Sequence, residues 1–532
     1  MRALMQDEPL GLHLVLDRAE RLFADRAVVC MAGPAPRETD YRQVFQTARR
    51  LSSALADLGL RPGDRAGTFA WNSLEHLVGY IALPGSGLVM HTVNIRLSPE
   101  EIAYTIEHAG DRLMLVDADL WDRWRSVPLP ACVEHVVVMG ARTVPEETYG
   151  TARVHTLDAL LAAEARRGPW YRPEDERDAA GICYTSGTTG RPKAVVYGHR
   201  SVYVHALTLC GVDTFAIGHH DVVMPVVPMF HANSWNLPYA ALLAGAGLAL
   251  PGRDTGPEAL TSCVERAGVT FSAAVPTVWT SLLSAVRAGT VDRDRLAGLD
   301  RVVIGGSAAA ESLVDGLEEL GMRAVHAWGM TESSPVGLVA GPPVTSDAAH
   351  RDAARLTQGR PMPGLETRLD DEGELQISGP YVAAAYLRPA GDDNDTRFAD
   401  DPGGRRWLRT GDVADVTPDG YVRLVDRVKD LVKSGGEWIS SIDVENHLLA
   451  HPAVEEAAVI AVPDEKWGER PLAVVVTRDD AATEADLVAF LRTRMPRWQV
   501  PDRVVRADEL PKTSVGKLDK KKLRAAYNAG KQ

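Results

Sequence analysis

Tyr184-Thr185-Ser186-Gly187-Thr188-Thr189-Gly190-Arg191-Pro192-Lys193 lies between two runs of β character, 181–184 and 194–197. A strand–loop–strand unit is therefore expected here. Two glycines let the backbone come close to a ligand, and the hydroxyls of Thr185, Ser186, Thr188 and Thr189 add donors. Together with the N–H groups of Gly187 and Gly190 they can line a polyanion. Lys193 brings a point charge of the kind that suits phosphate. The stretch is not a Walker A loop, because Gly-Lys-Ser/Thr is missing and a strand rather than a helix follows. A solvated turn rich in Ser, Thr and Gly would account for Ser-Gly-Thr-Thr-Gly but not for the full ten-residue string.

Outward from this loop the chain alternates strand-like and helical segments. Apolar residues at helical spacing (Val44, Phe45, Ala48, Leu51, Leu55) predict a helix over 41–58, closed by Gly59 and Pro62-Gly63. Short buried runs at 112–116, 136–139, 182–184, 222–227, 248–250, 270–274 and 302–304 read as strands with helical patterns between many of them. That order predicts layered α/β units with largely parallel sheets. The style changes after about residue 370, where strand-like runs at 373–378, 420–425 and 430–433 are separated by tight glycine turns. The last hundred residues read as a compact α+β unit. It has a capped helix from Ser440 to about 449, strands at 454–462 and 472–476, and a helix at 484–494. The boundary falls at 426–429. The expectation is a large N-terminal α/β domain over 1–425 that includes a small β-barrel-like part, then a hinge, then a small mobile α+β domain over 430–532.

Composition narrows the function classes. A chain of 532 residues exceeds one ordinary hydrophobic core, and 45% apolar with 24% charged residues is a globular balance. The formal charge of −14 argues against nucleic acid or an anionic membrane as the main partner. Five scattered cysteines (Cys30, Cys132, Cys183, Cys210, Cys263) have no metal-ligand spacing, so a reducing, cytoplasmic setting is expected. Residues 1–10 carry acids and no long apolar run, which predicts no signal peptide. The longest apolar stretches fall short of a bilayer span, so no integral membrane association is expected.

Further motifs follow in order. Trp328-Gly329-Met330-Thr331-Glu332 comes after a strand-like run at 323–326, and it offers an aromatic face for a purine and a carboxylate for a hard cation. Gly305-Gly306-Ser307-Ala308 is a tight turn after 302–304. Arg409-Thr410-Gly411-Asp412 presents a carboxylate able to accept two hydroxyl donors, and Asp426-Arg427-Val428-Lys429-Asp430 follows it. Pro228-Met229-Phe230-His231-Ala232-Asn233-Ser234-Trp235, Lys433-Ser434-Gly435-Gly436-Glu437-Trp438 and Pro511-Lys512-Thr513-Ser514-Val515-Gly516-Lys517 complete the set. Lys520, Lys521 and Lys522 read as a solvated tail.

In this order and spacing the motifs resemble the adenylate-forming superfamily of acyl-CoA synthetases, luciferases and peptide-synthetase adenylation domains. The resemblance covers nearly the whole chain and is nearest to medium- and long-chain fatty-acyl-CoA synthetases. It implies an AMP-forming acid–CoA ligase that uses ATP, Mg²⁺ and CoA with a small-molecule carboxylic acid, a fatty or related one; no nucleic-acid partner is expected, and a homodimer is compatible with it. By resemblance, 184–193 is the phosphate loop, with Thr188 and Glu332 on Mg²⁺. Gly305, Gly306, Ser307, Trp328, Gly329 and Met330 line the adenine site, and Thr331 contacts phosphate. Asp412 takes the ribose hydroxyls and Arg427 a second ribose or phosphate contact. His231 lines the carboxylate end of the acid site, and Trp235 gates the acyl tunnel. Lys429 is the hinge, and Lys433, Gly435, Gly436, Glu437 and Trp438 face the pantetheine channel. Lys517 is the catalytic lysine that bridges the acid and the α-phosphate.

Two residues depart from the family pattern: Trp328 stands where tyrosine is usual, and Ala194 follows the loop lysine in place of glycine. Three other readings stand beside this one. The same half-reaction could load a carrier protein, or it could adenylate an unusual small or aryl acid, including nitrite for diazotisation of an amine. The third is an inactive sensor of nucleotide or acyl ligand, against which Lys193, Glu332, Asp412, Arg427 and Lys517 all count.

Overall fold

The computed structural model of the chain describes residues 4–33, 35–141, 143, 147–162, 164, 168–185, 191–389, 393–478, 482–513 and 517–528. Among these, two large sheets form the bulk of the molecule. The nine-stranded sheet carries a parallel centre running Arg323–Gly329, Arg301–Gly305, Phe271–Ala274, Val222–Pro225, Gly247–Leu250, Ala27–Cys30. Antiparallel strands close both edges. The eight-stranded sheet is parallel through Ala179–Thr185, Val89–Thr92, Arg65–Phe69, Asp111–Asp117, His135–Met139 and Ala152–Thr156. The α/β layering with mainly parallel sheets read from the sequence is the architecture found.

The helix Tyr41–Asp57 shows how local sequence and packing agree. Asp40 caps it by accepting from Gln43 N, and its apolar stripe (Val44, Phe45, Ala48, Leu51, Leu55) is buried against Trp170 and the helix Leu74–Gly85. Burying a side chain the size of Phe45 contributes roughly 2–3 kcal/mol.

A third, antiparallel sheet joins Glu366–Leu369, Glu374–Ser378, Arg406–Val416 and Phe398–Asp400, with Val422–Arg427 paired on Arg406–Val416. The last part of the chain forms its own sheet from Val432–Ser434, Glu437–Ile439, Val454–Asp464, Gly468–Thr477 and Arg503–Arg506. The helices Ser441–Leu449, Glu484–Arg492 and Lys520–Asn528 accompany it.

Two strand expectations shift for a local reason. The strand read at 420–425 begins at Val422, because Gly420 and Tyr421 turn back onto Thr417. That read at 430–433 begins at Val432, because the N–H groups of Asp430 and Leu431 both donate to Arg427 O.

The solvated lysine tail is corrected. Lys520 opens the helix Lys520–Asn528 with its side chain only 13% exposed, its Nζ 2.7 Å from Glu445 and 2.6 Å from Ser441 Oγ. The opposite charge at Glu445 compensates the ammonium, which is why it can leave water. Lys521 and Lys522 are exposed as expected.

Candidate active site

The strands Ala179–Thr185 and Lys193–Gly198 are antiparallel neighbours at the edge of the eight-stranded sheet, with Lys193 directly opposite Thr185. The loop between them is thus pinned at both ends. Ser186, Gly187, Thr188, Thr189 and Gly190 lie outside the described residues. Lys193 forms an ion pair with Asp393 at 2.6 Å and stands over the Tyr386 ring.

Beside this hairpin is a cavity of about 490 Å³. Val227, Val275, Gly306 and Gly329 line it just past or at the carboxyl ends of four parallel strands of the nine-stranded sheet. Open α/β sheets place ligands there, because the loops diverge and leave a crevice. Two glycines are demanded by geometry. Gly306 sits at φ +88°, and a Cβ on it would meet Lys517 Cε at 3.4 Å, so the turn and the lysine touch. A Cβ on Gly329 would stand 1.8 Å from the Pro335 carbonyl oxygen, so only glycine permits that approach.

Charged groups converge on the cavity. Glu332 is buried at the turn Thr331–Ser333, and its Oε1 accepts from the Tyr386 hydroxyl at 2.6 Å. Asp412 and Arg427 face each other across paired strands, Arg427 Nε 3.3 Å from Asp412 Oδ1. Trp328 Nε1 donates to Asp412 Oδ2 at 2.8 Å. Lys517 reaches in from the other end of the chain, its loop closed by bonds between Thr513 and Lys517. Burial, aided by the Arg427 charge, pushes its ammonium down to about 8, against the pull of Asp412 and Glu332. His231 is pushed down to about 3 by burial and by Lys517 and Arg96. It is a neutral imidazole at ordinary pH, able to hydrogen-bond and unsuited to carrying charge.

His231 and Trp235 are presented by an uncommon turn. Ala232, Asn233, Ser234, Trp235 and Asn236 all have positive φ, from 45° to 64°. Left-handed conformation costs a non-glycine residue roughly 1–2 kcal/mol, so the surroundings must hold it. Ser234 Oγ donates to Val227 O at 2.7 Å, and Asn236 Nδ2 to Val202 O at 2.9 Å. Asn233 Oδ1 accepts from Thr92 Oγ1 at 3.2 Å. The Trp235 ring lies against Gly305, 2.8 Å from where a Cβ would be.

Of the expected site residues, Thr185, Lys193, His231, Trp235, Gly306 and Trp328 line this one cavity. Gly329, Met330, Thr331, Glu332, Asp412, Arg427, Lys429 and Lys517 do so as well. Gly305 lies behind the Trp235 ring, and Ser307 is exposed and outside the lining. Lys433, Gly435, Gly436, Glu437 and Trp438 are elsewhere. They form a solvent-facing hairpin on the C-terminal sheet, with Trp438 54% exposed.

Tyr386, Asp393, Thr396 and Arg397 also line the cavity and were not read from the sequence. They sit in and beside an Asp-rich stretch at 391–395 that looks like any polar loop. Tyr386 contacts Glu332 and Lys193, and Asp393 pairs with Lys193, contacts that only folding creates.

The chain matches the model of the "AMP-binding enzyme" family over residues 16–387 and that of the "AMP-binding enzyme C-terminal domain" over 443–517. The chain belongs to the AMP-binding enzyme family. It is 42% identical over 544 residues to a long-chain-fatty-acid–CoA ligase of Thermus thermophilus, covering 98% of this chain and 96% of that one. It is 40% identical over 554 residues to a 3-methylmercaptopropionyl-CoA ligase of Ruegeria lacuscaerulensis, covering 98% of each. Among solved structures, the anthranilate CoA ligase AuaEII with anthranoyl-AMP aligns with a TM-score of 0.85 at 24% identity, over 100% of this chain and 99% of that one. ATP-bound MatB from Rhodopseudomonas palustris aligns at 0.82 and 25%, over 98% and 100%.

The donor set suits a divalent cation that arrives on phosphates. Among the described residues no cluster of three metal-ligating side chains exists, while Glu332 offers a buried carboxylate whose second oxygen is not the one that Tyr386 holds. One carboxylate plus phosphate oxygens is a common way to hold Mg²⁺. Among the described residues, no helix is long and apolar enough to cross a membrane.

Proposed function

We propose that this chain activates a carboxylic acid with ATP, giving acyl-AMP and pyrophosphate, and then passes the acyl group to the thiol of CoA. The observation that carries the reading is the meeting of Lys517, from the end of the chain, with Lys193, Glu332, Trp328 and Asp412 around one cavity. Its charges suit a nucleoside triphosphate: Asp412 the ribose, Lys193 the β- and γ-phosphates, Lys517 the α-phosphate and the acid together. In the first half-reaction a carboxylate oxygen bonds to the α-phosphorus as the bond to pyrophosphate breaks. Lys517 neutralises the charge gathering on the pentavalent phosphorus, where a fixed cation in a dry site is most effective. Mg²⁺ held by Glu332, with Thr188 as its expected partner, would offset the charge of the leaving pyrophosphate.

Val227, Ala232, Trp235, Val275 and Val336 give the cavity an apolar lining, which suits an acid with an apolar tail. The names of the two relatives, long-chain fatty acid and 3-methylmercaptopropionate, agree with an aliphatic acid. In the second half-reaction the thiol sulfur bonds to the acyl carbon, AMP leaves, and the thiol proton passes to solvent. We place the hinge at Lys429, within 426–429, between domains 1–425 and 430–532. Turning there withdraws Lys517 and brings the 433–438 hairpin to the cavity. The test is pyrophosphate release from ATP with short, medium, long and aryl acids, with and without CoA. We expect acid-dependent release and thioester with aliphatic acids; no release with any acid overturns the proposal.

A further inference from the structure

The bond between Trp328 and Asp412 joins two residues expected to contact different parts of the nucleotide. The indole N–H donates to Asp412 Oδ2 at 2.8 Å, with the two residues only 8% and 6% exposed. A buried carboxylate loses far more than an exposed one when its donors are absent. Arg427 approaches the other oxygen, Oδ1, at 3.3 Å, and the Asp412 N–H is bonded to Thr410 Oγ1 at 3.1 Å. Each carboxylate oxygen keeps acceptor capacity for a further hydroxyl.

The two donors differ in permanence. Arg427 has a half-exposed side chain, ends the strand Val422–Arg427 and lies within the 426–429 segment assigned as the hinge. Trp328 is fixed in the nine-stranded sheet, paired with Leu338. Its N–H is on the ring edge, which leaves the ring face for a purine. A tyrosine there would carry its only donor at the far end of a smaller ring.

We propose that Trp328 is a positioning residue for ribose recognition: through its N–H it aims the Asp412 carboxylate at the ribose hydroxyls. Base stacking and sugar recognition are thereby coupled in one side chain. The inference rests on Asp412 being the ribose contact.

The test compares kcat/KM for ATP with that for 2′,3′-dideoxy-ATP by pyrophosphate release, using the full chain. In the parent the ratio of the two reports how well the hydroxyls are held. Asp412→Ala should bring it close to one. Trp328→Phe should lower it by about three- to tenfold, the loss expected of one charge-assisted hydrogen bond. A purely structural or stacking role would weaken both nucleotides alike and leave the ratio unchanged. If Trp328→Phe folds poorly, Trp328→Tyr removes the same N–H and is read in the same way. An unchanged ratio in the Trp328 variants, with a collapsed ratio in Asp412→Ala, overturns the positioning role and leaves the ribose reading standing. An unchanged ratio in Asp412→Ala overturns both.

Discussion

Lys517 illustrates how one side chain's chemistry follows from where the fold puts it. An ordinary lysine is fully charged at neutral pH, whereas burial beside Arg427 brings this ammonium down to about 8. The direction fixes the sign of two effects. Between about 8 and the unfolded value of 10.5 the folded chain has shed a proton that the unfolded chain keeps, so this group favours folding more as pH rises through that window. Catalysis runs the other way, since the first half-reaction uses the charged form. We expect kcat/KM for ATP in pyrophosphate release to fall as pH rises through about 8. Because kcat/KM reports the free enzyme, the fall should be absent from the residual activity of Lys517→Ala. An identical alkaline limb in that variant would assign the titration to another group. At this scale the sequence identified Lys193, Glu332, Asp412 and Lys517 by motif. It had no means to show Tyr386 holding Glu332 or Asp393 paired with Lys193, because those contacts join residues far apart in sequence.

At the scale of elements, the strands were largely legible because buried β runs between glycine turns leave a local pattern. The left-handed turn at Ala232–Asn236 was not. Its residues could equally have begun a helix, and asparagine's tolerance of positive φ is the sole local cue. What holds it is tertiary: Val227 O, Val202 O and Thr92 supply the partners. Asn236→Ala removes a buried amide that bonds Val202 O and His205 Nδ1. We expect a loss of about 1–3 kcal/mol in urea denaturation, the penalty for stranding buried polar partners. KM for the acid should rise with it, because the same turn carries His231 and Trp235. A stability loss below a few tenths of a kcal/mol would mean that the turn holds itself.

At the scale of the molecule, hydrogen bonds tie the start of the helix Ser441–Leu449 to the end of the strand Val422–Arg427. Ser440 Oγ donates to Val425 O at 2.7 Å, and Ser441 N donates to Asp426 Oδ2 at 2.6 Å. Lys517 in the cavity and the 433–438 hairpin facing solvent form the arrangement that the proposed first half-reaction needs. Lys429→Pro would restrict the backbone at the assigned hinge by locking φ. We expect acid-dependent pyrophosphate release to persist within a few-fold while thioester formation slows by roughly tenfold or more, as for a gating step. Equal slowing of both half-reactions would argue against a turn at this residue. By itself the sequence determined the α/β layering and the order of the family's motifs, because buried periodicity and contiguous motifs are local properties of a chain. Only the tertiary structure decided which motifs meet. It put Lys517 against Gly306, closed Trp328 onto Asp412, brought Tyr386 onto Glu332 and Asp393 onto Lys193, and paired Lys520 with Glu445. Those are matters of packing and compensated charge between distant residues, which no local pattern encodes.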